Sequence, residues 1–213
     1  MLETEEYKGF TITTSIDEYP ENPRDCDTLG TMVCFHNRYH LGDNTPDYKE
    51  ENYTSWDELK KDILKREGNS IICPVYMYDH SGLAFSIEDF HNAALPQGHA
   101  QFDSGQIGFM FVSKKKIREE YGKAGKAEIK KAHDVLLAEL EAYQKYANGE
   151  AYTFTVEDEN GDVVDSASGF YDEDDALEEA KLSVDYIVKE NERLRPTRER
   201  EALEANGQTY LEF

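Results

Sequence analysis

Across 213 residues, 45 Asp and Glu stand against 23 Lys and Arg, a formal net charge of −22, with 38% hydrophobic and 12% aromatic residues. That length buries a substantial core, and 14 Tyr, 10 Phe and one Trp supply large side chains for it, which excludes the aromatic-poor disordered class despite the acidity. Three cysteines, an acidic N-terminus and the lack of any run of about 20 apolar residues exclude a disulfide scaffold and a membrane span, and predict a cytoplasmic protein without a secretory signal.

Alternation of Phe10, Ile12, Thr14 and Ile16 predicts a half-buried strand over 7–16. Pro20 and Pro23 make 17–27 a loop, the apolar run 31–36 reads as a central strand, and 42–54, with Pro46, is a second loop. Ser55 with Glu58 three residues on is a capping box that opens a helix ending near Gly68. Residues 70–78 and 83–87 form paired strands around Asp79-His80-Ser81-Gly82, with Pro74 pushing the first toward an edge or a bulge. A long connection over 88–104 precedes an apolar strand at 106–112. Ser113 caps a short helix to Tyr121, which Gly122 and Gly125 end. Alanine-rich 126–147 is a helix with Leu136, Leu140, Tyr143 and Ala147 on one face, closed by Asn148-Gly149. Strands at 152–157 and 163–168 flank Asn160-Gly161, a strong hairpin signal. The last helix spans 174–194 with Leu177, Ala180, Val184 and Ile187 as its stripe, and Pro196 opens a charged, flexible tail over 196–213. The sum is α+β: a single domain over 1–195, a mostly antiparallel sheet with two long helices (126–147 and 174–194) packed on it.

Motifs of catalysis are absent. There is no P-loop, dinucleotide-binding, zincin or nucleophile-elbow pattern and no Cys-x-x-Cys, so no cofactor is expected. Cys34, His36 and His40, with Cys26 nearby, are zinc-type ligands by element, but no second pair matches their spacing. A buried Cys with partly exposed histidines is the plainer reading. Asp79-His80-Ser81 places triad residue types side by side, where adjacent turn residues point apart; Asp-x-Ser-Gly and Asp103-Ser104-Gly105 are ordinary turn chemistry. With His91 and His99 they are candidates to line one pocket. Residues 114–131 hold eight bases and three acids, a basic island whose overall acidic background opposes direct nucleic-acid binding.

The acids are the positive signal. From 151 to 188 there are 12 acids and one base, Lys181. The helix dipole accounts for acids in a first turn, here 173–175, but not for those in the hairpin or farther along the helix. Carboxylates three or four residues apart on a helix lie about 5–6 Å from one another, the scale of phosphate spacing, so a basic groove built for DNA accepts such a face. The partner-binding set is Asp158, Glu159, Asp162, Asp172, Glu173, Asp174, Asp175, Glu178, Glu179 and Asp185. A charge run that is only solvated is the plain alternative.

Several strings carry a resemblance: Gly30-Thr31-Met32-Val33-Cys34-Phe35-His36 with Leu41-Gly42-Asp43 after it, Tyr78-Asp79-His80-Ser81-Gly82, Asp103-Ser104-Gly105-Gln106-Ile107-Gly108-Phe109 and Ser168-Gly169-Phe170-Tyr171. They resemble a family of acidic proteins of tailed bacteriophages and prophages, over most of the chain to about Val188. The resemblance implies a phage or mobile-element origin and action in a bacterial cytoplasm, and carries over no catalytic residue. By analogy with small acidic phage proteins that mimic DNA, the expected function is counter-defence. The chain would then be a binding protein rather than an enzyme, inhibiting a basic, DNA-binding host protein of restriction or CRISPR type, with no direct nucleic-acid or membrane contact. Two alternatives stand beside it. One is a small enzyme or nucleotide-ligand binder with its pocket at Asp79, His80 and Asp103. The other is a self-assembling phage structural protein, a homodimer in its simplest form, in which one copy's basic island meets another's acidic face.

Overall fold

A computed structural model describes residues 3–90 and 103–205, the side chains of the last eight excepted. In chain order its elements are β1 (Glu3–Tyr7), β2 (Phe10–Ile16), β3 (Thr31–Cys34), α1 (Trp56–Glu67), β4 (Ser70–Asp79), β5 (Leu83–Ser86), β6 (Ser104–Ser113), α2 (Lys114–Tyr121), α3 (Lys126–Ala147), β7 (Tyr152–Glu157), β8 (Val163–Phe170) and α4 (Glu173–Ala205). The protein is α+β with antiparallel pairing throughout, but in two four-stranded sheets rather than one. Where the sequence groups 1–195 as a single domain, the chain divides into two compact units: a terminal unit of residues 1–20 and 150–213, and an inserted unit of 21–149.

The terminal unit has strand order β1-β2-β7-β8. Its first hairpin was not foreseen: the strand expected over 7–16 begins at Phe10, and Tyr7 ends a separate strand. Lys8 and Gly9, with φ of 51° and 85°, form a two-residue turn whose left-handed pair matches the twist of the flanking strands. β2 then pairs with β7 across the whole insertion, Ile12 opposite Val156 and Thr14 opposite Phe154. These side chains alternate onto one face and meet Ala180 and Val184 of α4, at the centre of the expected helical stripe. α4 runs to Ala205, past the expected end at 194, with Pro196 inside it. Proline removes one backbone donor, but residues 197–205 contain no glycine to stop the helix, so 196–205 are helical rather than tail.

The inserted unit has strand order β3-β6-β4-β5. β6 is its central strand, buried from Ile107 to Val112. Met110 and Val112 face α2 and α3, meeting Ile117, Leu136, Leu140 and Tyr143. Phe109 and Phe111 face the opposite way, onto Leu59 and Ile63 of α1. The β3–β6 approach is tight enough that a Cβ on Gly108 would lie 1.9 Å from the Val33 carbonyl oxygen. Pro74 sits where β4 has a partner on one side only, since β5 joins at Tyr76, and a register shift follows it between Val75 and Tyr76. Of the connection expected over 88–104, residues 91–102, with His91 and His99, lie outside the described residues.

One buried cation fixes the loops around β3. The Arg24 side chain, 1% exposed, donates Nε to Asp43 Oδ1 at 2.6 Å, Nη2 to Asp43 Oδ2 at 3.1 Å, Nη1 to Glu139 Oε2 at 3.1 Å and Nη2 to the Gly30 carbonyl at 2.7 Å. Burial works against this charge, but the carboxylates of Asp43 and then Glu139 more than restore it, so its pKa lies above the ordinary arginine value. Asp43 also accepts the Met32 N–H at 2.9 Å, and Glu139 the Leu29 N–H at 2.6 Å. A single network thereby ties the loop before β3, the loop after it, and α3 together.

Candidate functional site

The charge segregates by unit. Residues 1–20 and 150–213 hold 24 acids and seven bases, a net of −17, whereas 21–149 hold 21 acids and 16 bases, a net of −5. The acidity belongs to the terminal unit.

Within that unit the ten acids singled out above fall into two groups. Asp158, Glu159 and Asp162 surround the β7–β8 turn. Asp185 lies at the same end, its Oδ1 accepting Lys8 Nζ at 2.7 Å from the β1–β2 turn. Asp172 to Asp175 lie at the other end, where β8 hands over to α4. The six residues of β7 separate the ends, roughly 20 Å at about 3.3 Å per residue. Glu178 and Glu179 follow one turn into the helix.

Four of the ten hold the fold together. Asp158 accepts the Asp162 and Asn160 N–H groups at 3.0 and 2.8 Å, which keep its carboxyl below the usual carboxylate range. Asp172 accepts the Asp174 N–H at 3.1 Å and so caps α4. Glu173 accepts the buried Thr14 hydroxyl at 3.1 Å, and Asp185 is held low by its bond from Lys8. The remaining six, Glu159, Asp162, Asp174, Asp175, Glu178 and Glu179, are exposed, and their carboxylates have no partner among the described residues. Leu182 and Tyr186, 61% and 68% exposed, lie one and two turns beyond Glu178 on the same helix. Neither residue belongs to the stripe of Leu177, Ala180, Val184 and Ile187, so the buried periodicity of the helix does not mark them.

The basic island is largely used inside its own unit. Lys116 Nζ donates to the Thr28 carbonyl at 2.6 Å, and Lys130 and Lys123 pair with Asp134 and Glu128 at 2.6 and 3.3 Å. Lys131 lies over the Tyr121 ring, 4.6 Å from its centroid.

Of Asp79, His80 and Asp103, the structure pairs His80 with Asp103 and sends Asp79 elsewhere. His80 Nδ1 is 3.2 Å from Asp103 Oδ2 across 23 residues, and Tyr78 stacks on the His80 ring. Asp79 turns toward the loop after β3, where its Oδ2 accepts Arg38 Nη1 at 3.0 Å and the Tyr39 hydroxyl at 3.1 Å. Asp79, Asp103, His36 and Arg38 line one polar cavity of about 280 Å³. Neither His80 nor Ser81 is among its described walls, so the cavity holds Asp79 and Asp103 of the expected pocket without His80, and the Asp79-His80-Ser81 turn does not converge as a triad. Cys34, His36 and His40 line a neighbouring cavity of about 580 Å³. Burial pushes the Cys34 thiol well above its ordinary pKa, and no group of three or more His, Cys, Asp or Glu able to hold a metal occurs among the described residues. Among those residues no helix is long and apolar enough to cross a membrane. Comparisons with protein families, with curated proteins and with solved structures find no match to this chain.

Proposed function

We propose that this is a non-enzymatic binding protein of phage or mobile-element origin, whose acidic terminal unit occupies the nucleic-acid-binding groove of a bacterial defence protein of restriction or CRISPR type. The observation that carries the reading is the net −17 confined to one unit. Acids kept for solubility would be spread over both. Two acid clusters roughly 20 Å apart correspond to about six phosphate steps at 3.4 Å along a strand. Asp174, Asp175, Glu178 and Glu179 supply unpaired charge, and Leu182 and Tyr186 add apolar contact area beside them. Such a face gains speed and selectivity from long-range attraction, and displaces counterions from the groove much as DNA does.

The test is inhibition of DNA binding by a panel of purified restriction and Cas nucleases, at low and high salt. The wild-type chain is expected to compete with DNA for at least one of them, with an affinity that falls as salt rises. A variant carrying Asp174→Asn, Asp175→Asn, Glu178→Gln and Glu179→Gln is expected to lose that competition while remaining folded. Competition that survives the four substitutions unchanged, or that ignores salt, would rule the mechanism out.

A further inference from the structure

The chain recognises arginine twice within itself, each time in the same way. The Arg66 guanidinium carbon lies over the Tyr48 ring, 5.2 Å from its centroid, while Nε donates to Asp62 at 2.8 Å. The Arg38 guanidinium carbon lies over the Tyr39 ring, also at 5.2 Å, while Nη1 donates to Asp79 at 3.0 Å. In both, an aromatic face takes the flat cation and a carboxylate takes its N–H groups.

A third place in the inserted unit has the rings and the carboxylate without the arginine. Phe35 lies nearly parallel to Tyr53 (centroids 6.1 Å apart, planes at 18°) and to Trp56 (6.2 Å, 13°). At that separation the rings are offset, so they form a stepped platform rather than a closed stack. It is preformed: the Tyr53 hydroxyl donates to Asp62 at 2.7 Å, and Trp56 rests edge-on against Phe109 at 6.4 Å. The bond to a carboxylate also enriches the Tyr53 ring in electrons, which strengthens its pull on a cation.

The three half-buried rings line a cavity of about 290 Å³ together with Glu50, Thr54 and Ser55. Glu58 engages the two hydroxyls, its Oε2 accepting from Thr54 at 2.9 Å and its N–H donating to Ser55 at 3.4 Å. Glu50 is exposed, and its carboxylate has no partner among the described residues. Among those residues no Lys or Arg lines the cavity. Tyr7, Tyr39, Tyr48 and Tyr121 each carry a cation of the chain over the ring, whereas Phe35, Tyr53 and Trp56 carry none among the described residues. The positive end of α1, which begins at Trp56, is offset by Asp57 and Glu58 in its first turn.

Other ligand classes match less of this. An anion meets Glu50 and no base. A quaternary ammonium is held best by rings set at angles around it, and parallel faces offer it one side only. A lysine ammonium is a compact, strongly hydrated point charge that gains little from a flat platform. A sugar stacks its C–H face but has one free carboxylate for its many hydroxyls. Guanidinium is planar, weakly hydrated and forked, so it stacks and pairs at once.

We infer that this platform is a docking site for an arginine side chain of a partner protein, its guanidinium stacked on Phe35, Tyr53 and Trp56 and paired with Glu50. The site lies in the inserted unit and does not depend on the acidic terminal unit. Trp56 is the one tryptophan in the chain, so its emission reports occupancy directly. The full-length protein is titrated with the peptide acetyl-Ala-Arg-Ala-amide, following Trp56 emission and its protection from acrylamide. Matched peptides carry lysine, trimethyllysine or citrulline in place of the arginine. The arginine peptide is expected to give a saturable change with protection. The lysine peptide, equal in charge, should bind about fivefold more weakly, and the neutral citrulline peptide should not saturate. Glu50→Gln, at an exposed residue without a partner, keeps the fold and should weaken the arginine peptide about threefold, the scale of an exposed ion pair. No saturable response to the arginine peptide overturns the inference, as does arginine binding that Glu50→Gln leaves unchanged. So does equal binding of the lysine peptide, which marks attraction by net charge alone, or of the citrulline peptide, which marks stacking alone. Tighter binding of the trimethyllysine peptide overturns it in favour of a methylammonium site.

Discussion

Replacing Arg24 with Met keeps an unbranched stem and removes the charge, and what it leaves behind sets the size of the effect. Asp43 and Glu139, whose side chains are 18% and 14% exposed, lose their shared cation, and the Gly30 carbonyl loses its donor. Breaking a buried ion pair from one side costs about 3–5 kcal/mol, because the surviving charge stays desolvated. The lower end applies here. Asp43 keeps the Met32 N–H at 2.9 Å, and Glu139 keeps the Leu29 and Gly30 N–H groups at 2.6 and 3.1 Å. We therefore expect a loss of about 3 kcal/mol, seen as a lower urea midpoint at unchanged slope. Trp56 fluorescence is the readout, since the single tryptophan lies in the inserted unit. Adding Glu139→Gln to Arg24→Met should cost less than the sum of the two single changes, by about 1–2 kcal/mol, because the second removes a charge that the first has orphaned. A loss below about 1 kcal/mol, the range of exposed pairs, would refute the reasoning. So would strict additivity.

Gly108→Ala places a methyl group 1.9 Å from the Val33 carbonyl oxygen, a backbone atom that cannot rotate away. It should exceed the usual 1–3 kcal/mol of overpacking and release β3 from β6, whereas Gly105→Ala, with nothing within 4 Å, leaves the unit intact; equal thermal shifts would contradict the packing described. At high pH, Tyr48 and Tyr53 are pushed up to about 12, both chiefly by burial, with the neighbouring Glu67 adding to the effect at Tyr48 and the bond to Asp62 at Tyr53. A folded pKa above the unfolded value near 10 means stability is intact below about pH 10 and is lost as pH rises toward 12. Tyrosinate absorbance should rise in two stages, the later one coinciding with unfolding. A single rise near pH 10 in a still-folded protein would contradict it.

Local signals were legible in the sequence and long-range ones were not. The Ser55 N-cap, helix α3 and the Asn160-Gly161 turn are each written within a few residues and stand where their patterns placed them, although Glu58 reaches back to Thr54 rather than closing a capping box with the Ser55 N–H. The first hairpin was missed because Lys8 is a poor advertisement for a left-handed turn residue. The division into two units rests on β2 pairing with β7, Thr11 opposite Glu157, and nothing near either strand announces the other. The same holds for Arg24, whose partners lie 19 and 115 residues away. At the candidate sites, residue types led partway. The turn motifs of His80 and Asp103 group two residues that do pair, but the bonds that draw the Asp79 carboxylate to Arg38 and Tyr39 cross about 40 residues and leave no local signal. The aromatic platform joins Phe35 to Tyr53 and Trp56 across a polar loop with no periodicity to mark it.

The insertion also separates, in order of synthesis, strands that pair in the fold. The chain leaves the terminal unit after Pro20 and returns to it at Glu150, β2 and β7 meeting at Ile16 and Tyr152 and the Asp17 N–H bonding the Ala151 carbonyl at 2.8 Å. The residues of β1 and β2 are therefore synthesised well before those of β7, with the whole inserted unit between them. Without β7, β2 has β1 on one side only, and its other edge is the kind of surface that recruits strands from neighbouring chains. Glu3, Glu5 and Glu6 on the paired strand, with Asp17 and Glu18 just beyond, give the hairpin a charge of its own sign-matched to every other copy. Like charge on identical chains opposes their association at that edge, a consequence of acidity that needs no partner.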